Sequence, residues 1–513
     1  MKGFSPRHLS GFALLAIVGG VIFGQAPLYT SNQNQYFLHG LARAGMGFLR
    51  HDWLANTVDP TPVFSTLVEL TARYLHDGVF FVYFLLLAGV YFSGLIGLTV
   101  RTAPVDASRT RFLAYLAIVL GMHSALLATL SLPTLGIDLR ALLTNGVAGQ
   151  FLMGDILQPS MAGVFLIASI HAFVQDRRKT AVIHAAAAAF LHPTYLLAAG
   201  VLIMSYVLAI MNETRNVRQA LGLGVLGATL MLPVAVYVIV AFRPTAPPAW
   251  AAAQDILMNV RLQHHALVHR WLGTTAYAQL ALVCAGLVVA RRSRRLFTVL
   301  LTSAVVAAVL TVAQVVSGSA SLALVFPWRL SVYVVPVASS VLAAAAVSWF
   351  HGRYVSDTPQ RERLLAWGSV VVLVLLLVGG WQYTQRLADE DRQDASVPVM
   401  DFVRRTKSLG DTYAIPPALE RFRLYTGAPI FVDRKSIPYK DVELVEWFSR
   451  SETAWGLSRL NDPMLVCQAV ADLGGRYAVT HAVLRRAQSD GTCARLHPLY
   501  EDAEYGVYRV VAR

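Results

Sequence analysis

A succession of long apolar stretches limits what this chain can become. They run over residues 9–26, 79–99, 112–132, 160–175, 219–242, 272–290, 296–316, 329–350 and 364–380. Each is on the order of 17–25 residues, the length an α-helix needs to cross the hydrocarbon of a bilayer. No soluble core has room for so many uniformly apolar helices. The composition agrees: 56% of the 513 residues are hydrophobic and 14% are charged, against about 25% charged in a soluble domain. The first stretch is long and lacks a small-residue cleavage site, so it reads as a retained helix rather than a signal peptide.

Between 160–175 and 219–242 lies a further apolar segment, 180–211, interrupted by Leu191-His192-Pro193-Thr194-Tyr195. Proline inside a helix removes a hydrogen bond and clashes with the preceding turn, so a hairpin of two shorter helices fits better than one overlong one. The basic residues test this. They cluster beside the apolar stretches, at Lys2 and Arg7, Arg101 to Arg111, Arg177 to Lys179, Arg215 and Arg218, Arg291 to Arg295, and Arg353 to Arg363. If all of them face the cytoplasm, as positive charge flanking membrane helices does, 180–211 must cross twice and the chain has about eleven spans. The N-terminus is then cytoplasmic and everything after Trp381 lies outside. The same clustering accounts for the net charge of +13 without nucleic acid, which is not expected as a partner.

This topology divides the chain into a membrane domain, 1–381, and an extracytoplasmic α/β domain, 382–513. It also collects the unusual polar segments on one face: 27–78, 133–159, 243–271 and 317–328. The first far exceeds an ordinary connection of about 4–6 residues, and loops of that size are commonly functional. In the second domain SVPVMDFVRRTKSL, KDVELVEWFSR and DPMLVCQAVADLG read as helices. TYAIPP, APIFVD and RYAVTHAVL read as strands, and LYEDAEYGVYRVV as an antiparallel pair. Cys467 and Cys493 both fall in this domain, where an oxidising compartment permits a disulfide. Cys284 falls in an apolar helix.

An odd number of helices, a long first outer loop with amphipathic helices and a soluble domain after the last helix resemble the GT-C superfamily of membrane glycosyltransferases. The tail motifs RFRLYTGAPIFVDRKSIPYKD and EWFSR are similar to those of bacterial members of that group. The resemblance implies a multi-pass protein of the bacterial inner membrane, in contact with its lipids and with partners in envelope polysaccharide synthesis or glycosylation. It implies transfer of a sugar from a polyprenyl-phosphate donor to a glycan, lipid or protein acceptor, with an acidic residue of the first outer loop as base or metal ligand, and leaves room for a divalent ion. Where that acid is expected, just after the first helix, this chain has Ser31-Asn32-Gln33-Asn34-Gln35-Tyr36.

The role of base then passes to Asp52, Asp59 or Asp155, because a carboxylate desolvated at the membrane boundary can accept a proton from an acceptor hydroxyl. The alternatives are structural: Asp52 as a helix cap or partner of Arg50, Asp59 as a turn former, Asp155 as an N-cap. Arg329, at the outer end of a helix, is suited to clamp a phosphate or to anchor the interface beside Trp328. His192, beside the helix break, is a binding candidate or a partner for freed backbone groups. Arg243, Asn32, Asn34, His51 and Gln158 complete the substrate-binding candidates. His265 and His269 have the i, i+4 spacing of metal ligands, and an exposed interfacial helix is the favoured reading there. Arg423, Asp433, Lys435 and Tyr439 form either an acceptor-binding strand end or a structural network. Two further functions compete with glycosyl transfer: a non-catalytic scaffold of an envelope polysaccharide complex, and a transporter of lipid-linked glycans.

Overall fold

A computed structural model describes residues 6–489 and 491–511; Lys2, part of the first basic cluster, lies outside them. The protein is a helical polytopic membrane protein with a small C-terminal sheet. Six helices among the described residues are long and apolar enough to cross a membrane, including Val79–Thr102, Val217–Ala241, Arg294–Ser317 and Pro359–Arg392. Arg109–Met122 and Ala125–Leu135 make a seventh if the pair, bent by 60°, counts as one span, and Leu9–Phe23, Pro159–Val174 and Thr274–Ala290 are shorter apolar helices.

The chain folds into two compact units. One comprises the chain up to Gln25, Phe81–Val238 and Leu257–Gln385; the other comprises Ala26–Phe80, Ile239–Ile256 and the chain from Arg386 onward.

In the first unit the expected break at Leu191 to Tyr195 is present. Arg178–Leu191 ends at His192, which is extended (φ −143°, ψ 100°), and Pro193–Tyr195 starts the next helix. The residue before a proline is pushed out of the helical region, and Pro193 has no N–H to continue the ladder. A second break differs from expectation. The helix anticipated over 112–132 is divided at His123, where Ser124 caps a new helix by accepting from the Leu127 N–H at 3.1 Å. The His123 ring fastens this corner, with Nδ1 2.7 Å from the Val119 carbonyl and Nε2 2.8 Å from the Tyr91 hydroxyl. Pro359–Arg392 is longer than the expected 364–380. At ~1.5 Å per residue its 34 residues span about 50 Å, more than the ~30 Å of hydrocarbon.

In the second unit, Leu38–Ala44 packs on Pro62–Tyr74. Phe37, Leu38, Leu41, Phe64, Val68 and Phe80 are buried there. The sheet has strands β1 (Tyr413–Ala414), β2 (His481–Arg485), β3 (Leu496–Glu501) and β4 (Tyr505–Val510) in the order β1-β2-β4-β3. β1 pairs with β2 in parallel and the remaining pairs are antiparallel. Val399, Met400 and Val403 of the helix Val397–Thr406 form its core with Tyr413, Ile430, Val483 and Val507. APIFVD, read as a strand, makes only an isolated bridge between Ile430 and Tyr413. Its Pro429 carbonyl accepts from the Tyr413 N–H at 3.0 Å and its Phe431 N–H donates to the Tyr413 carbonyl at 2.8 Å, while the Ile430 N–H is turned to Asp52. Just past the segment the N–H groups of Lys435 and Ser436 donate to Asp433.

Candidate functional site

Among the three candidate bases, Asp52 is a strut. It has no exposed surface. Its Oδ1 accepts from the N–H groups of Leu54 (2.9 Å) and Ala55 (3.4 Å), and its Oδ2 from the Arg423 Nε and the Ile430 N–H, both at 2.9 Å. Arg423 also lies 2.6 Å from Asp433 Oδ2, and all three side chains are buried. One guanidinium between two carboxylates leaves an excess negative charge. Burial accordingly pushes Asp433 above the usual carboxylate range against the opposing pull of Arg423. Gly47 and Gly427, both at positive φ, make this close approach feasible: a Cβ on Gly47 would stand 2.4 Å from the Gly427 carbonyl oxygen, which accepts from the Phe48 N–H at 2.8 Å. Asp52 thus holds the turn at Leu54 and Ala55 and pairs with Arg423 rather than Arg50, and Asp433 joins the network through Arg423.

Asp59 is likewise engaged. It accepts from the Thr61 N–H (2.9 Å), the Ser65 hydroxyl (3.0 Å) and Arg43 (3.1 Å). Arg43 in turn reaches Glu69 at 2.8 Å. His51 is exposed and accepts from its neighbour Arg50. Asn32 is half-buried and Asn34 buried, with the Asn34 amide donating to the Ser31 carbonyl at 3.3 Å and its Oδ1 left unpaired. Gln35 donates to the Tyr439 hydroxyl at 2.9 Å. A carboxylate absent from this cluster in sequence arrives from the other end of the loop, where Asp77 accepts from the Tyr29 hydroxyl at 3.1 Å. Sequence spacing hides the pair, because the contact spans 48 positions. Arg243 is exposed, and its carbonyl accepts from Lys440.

The first unit holds the remaining candidates. Asp155 is half-buried, and its Oδ2 accepts from the Tyr383 hydroxyl at 3.2 Å. Gln158 is buried three residues on, preceding the turn Pro159–Gly163. Arg329 donates to the Thr194 hydroxyl at 2.7 Å and lies over the rings of Phe326 (5.5 Å) and Tyr195 (6.0 Å). His192 is buried with its ring 5.5 Å from that of Tyr195. No carboxylate pairs with Arg329 among the described residues.

Around Arg329 the structure assembles a site that the sequence marks only in part. Ala148, Gln150, His265, Trp271, Gln314, Phe326, Trp328 and Arg329 line a crevice of about 210 Å³, too narrow in this conformation to seat a water. Three N–H donors in it are buried and unpaired: Gln150 Nε2, Trp328 Nε1 and Arg329 Nε. Buried donors are paired in the great majority of cases, and each orphan calls for an explanation. Two lining residues that are not glycine, Ala148 (φ 61°) and Phe326 (φ 52°), are left-handed, a conformation that costs on the order of 1–3 kcal/mol and gathers at functional sites.

The loop bearing Ala148 and Gln150 is pinned from several sides. Gln279 donates to the Asn145 carbonyl at 3.0 Å, the Val147 N–H donates to the Ser331 hydroxyl at 2.7 Å, and His265 Nδ1 lies 2.6 Å from the Ala148 carbonyl. Burial, reinforced by His264 alongside, pushes His265 down to about 4, so the ring is neutral at pH 7 and Nδ1 donates. His265 and His269 do not share a helix, since Gln263–Ala266 and Val268–Trp271 are separate. Among the described residues no three His, Cys, Asp or Glu side chains are placed together to hold a metal ion.

Residues 394–454 match a family described as a domain of unknown function, DUF6798. The match takes in Arg423 and Ile430, which donate to Asp52, and Asp433, which pairs with Arg423, and covers well under half of the chain. No curated protein matches the sequence.

Proposed function

We propose that this protein is a GT-C-like glycosyltransferase of the bacterial inner membrane, with eleven spans and an extracytoplasmic C-terminal domain, acting on a polyprenyl-phosphate-linked sugar. The observation that carries the proposal is the convergence of the Gln150, Trp328 and Arg329 donors on one crevice with no carboxylate in its lining. Unpaired donors around an uncompensated guanidinium suit a phosphate, whose oxygens accept from all of them. The crevice is closed to a water in this conformation, so it must open to admit a ligand. An aromatic side chain of its lining, Phe326 or Trp328, swinging aside would let a phosphate headgroup reach the three donors.

Asp155 is the base in this reading. It lies in the same loop as Gln150 and is the least committed of the three carboxylates, with Tyr383 as its hydrogen-bond donor. The acceptor hydroxyl gives its proton to Asp155 as its oxygen bonds to the anomeric carbon. The bond from that carbon to the phosphate oxygen breaks, and the phosphate leaves with its charge stabilised by Arg329, Trp328 and Gln150. Preorganised donors of this kind commonly supply more of an enzyme's rate enhancement than any other effect. No step is routed through a metal ion.

The Arg329→Gln protein in lipid nanodiscs is expected to bind polyprenyl phosphate at least about tenfold more weakly than the parent, in keeping with the ~1.5–3 kcal/mol of a hydrogen bond to a charged group. Asp155→Asn is expected to bind it normally and to abolish sugar transfer. Unchanged binding by Arg329→Gln removes the basis of the proposal. The commitment of Asp52 and Asp59 to structure favours a second reading, a non-catalytic scaffold of an envelope polysaccharide complex. Full function of Asp155→Asn in cells would select it.

A further inference from the structure

We propose that a second site, unrelated to the Arg329 crevice, holds the headgroup of an anionic glycerophospholipid between the helices Leu196–Thr214 and Arg294–Ser317, which pack together. Here a pocket of about 400 Å³ is lined by Ala209, Asn212, Glu213, Arg291, Arg294 and Phe297, with Thr298 at its side. The acids nearby are already committed. Arg295 sits 2.9 Å from both Glu213 and Asp176, and Asp176 is also 2.8 Å from Arg178. Arg291 and Arg294 are exposed and, among the described residues, have no carboxylate within 4 Å. The pocket therefore carries two uncompensated guanidiniums, whose planar forks match phosphate oxygens.

The apolar rows that lead away from this rim choose a lipid over a free anion. Met204 and Leu208 are exposed on one helix and Leu301 and Val305 on the other. The spacing 204, 208, 212 keeps the first pair on the face of Asn212, and 294, 298, 301, 305 keeps the second on the face of Arg294. Phosphate at the arginines thus continues into acyl chain along the groove. Basic pockets between membrane helices bind anionic headgroups for this reason.

The test is native mass spectrometry of the full chain offered phosphatidylglycerol and phosphatidylcholine, with inorganic phosphate as competitor. The parent is expected to retain phosphatidylglycerol preferentially, and inorganic phosphate not to displace it. At about fivefold per arginine near an anionic surface, the double variant Arg291→Gln, Arg294→Gln should lose ~25-fold of that preference. Arg292→Gln, exposed in the same basic run but outside the pocket lining, should lose little. Equal retention of the two lipids, or a double variant that keeps the preference, overturns the site. An Arg292→Gln loss as large as the double variant's would reduce it to diffuse attraction, and complete displacement by inorganic phosphate would make it a free-anion site; either result sinks the lipid assignment.

Discussion

Both oxygens of Asp52 are engaged by N–H donors and its side chain has no exposed surface from which to meet a substrate. Removing it leaves Arg423 buried beside Asp433 with altered charge and lost hydrogen bonds. Asp433 remains as the counter-ion of Arg423, but Arg423 Nε and the N–H groups of Leu54 and Ile430 lose their acceptor, and each buried donor left unsatisfied costs about 1–3 kcal/mol. Asp52→Ala should therefore lower the melting temperature of the purified protein sharply, whereas Asp155→Asn, at a half-buried position held by the Tyr383 hydroxyl, should melt close to the parent. An Asp52→Ala protein that melts like the parent yet fails in sugar transfer would make Asp52 a candidate base again. Sequence alone could not separate these aspartates. Each stands beside polar or turn-forming residues, and the groups that decide Asp52's role lie more than 370 positions away.

At the scale of elements, small residues decide how closely the membrane helices approach. A Cβ added to Gly380 of Pro359–Arg392 would stand 2.0 Å from the Val21 carbonyl oxygen and 2.8 Å from the Ile22 Cα, while one on Gly379 would meet the Leu126 side chain at 2.8 Å. Backbone cannot yield as a side-chain tip can, so helix contact here depends on glycine. Gly380→Ala is expected to destabilise the protein by ~1–3 kcal/mol, the usual range for overpacking, and Gly368→Ala in the same helix, where nothing stands within 4 Å, should do no harm. Thermal unfolding of the two variants in one detergent checks this, and equal melting would refute the close contact. The helix breaks show how far local chemistry can be read. Pro193 announces the break at His192 by covalent geometry, whereas the corner at His123 depends on Tyr91, 32 residues earlier, and on a serine cap that resembles any helical serine.

At the scale of the molecule, the second unit is assembled from three separated stretches of chain. Thr245, from the middle stretch, donates to Asp441 through its N–H (2.6 Å) and hydroxyl (2.7 Å). Val58, from the first, donates its N–H to Glu443 at 3.1 Å. Within the last stretch Cys467 is disulfide-bonded to Cys493, and Cys284 is free. Intact mass after alkylation in denaturant should count one thiol before reduction and three after it. Three thiols before reduction would show that the C-terminal domain matures in a reducing compartment, and would count against the extracytoplasmic location proposed above.

The apolar runs, the proline break and most helices and strands of the tail were determined by sequence alone, because hydrophobic periodicity and proline geometry act over a few residues. The solitary arginine before the helix Ser331–Tyr354 was legible for the same reason: a guanidinium at that helix end is conspicuous by composition. The tertiary structure decided which carboxylates are struts, why 428–433 is not a full strand, and that Gln150 and Trp328 share a crevice with Arg329. Those outcomes depend on burial and on donors brought from distant parts of the chain. Whether a polar group is satisfied is a property of its surroundings, and residue type and local spacing do not record them.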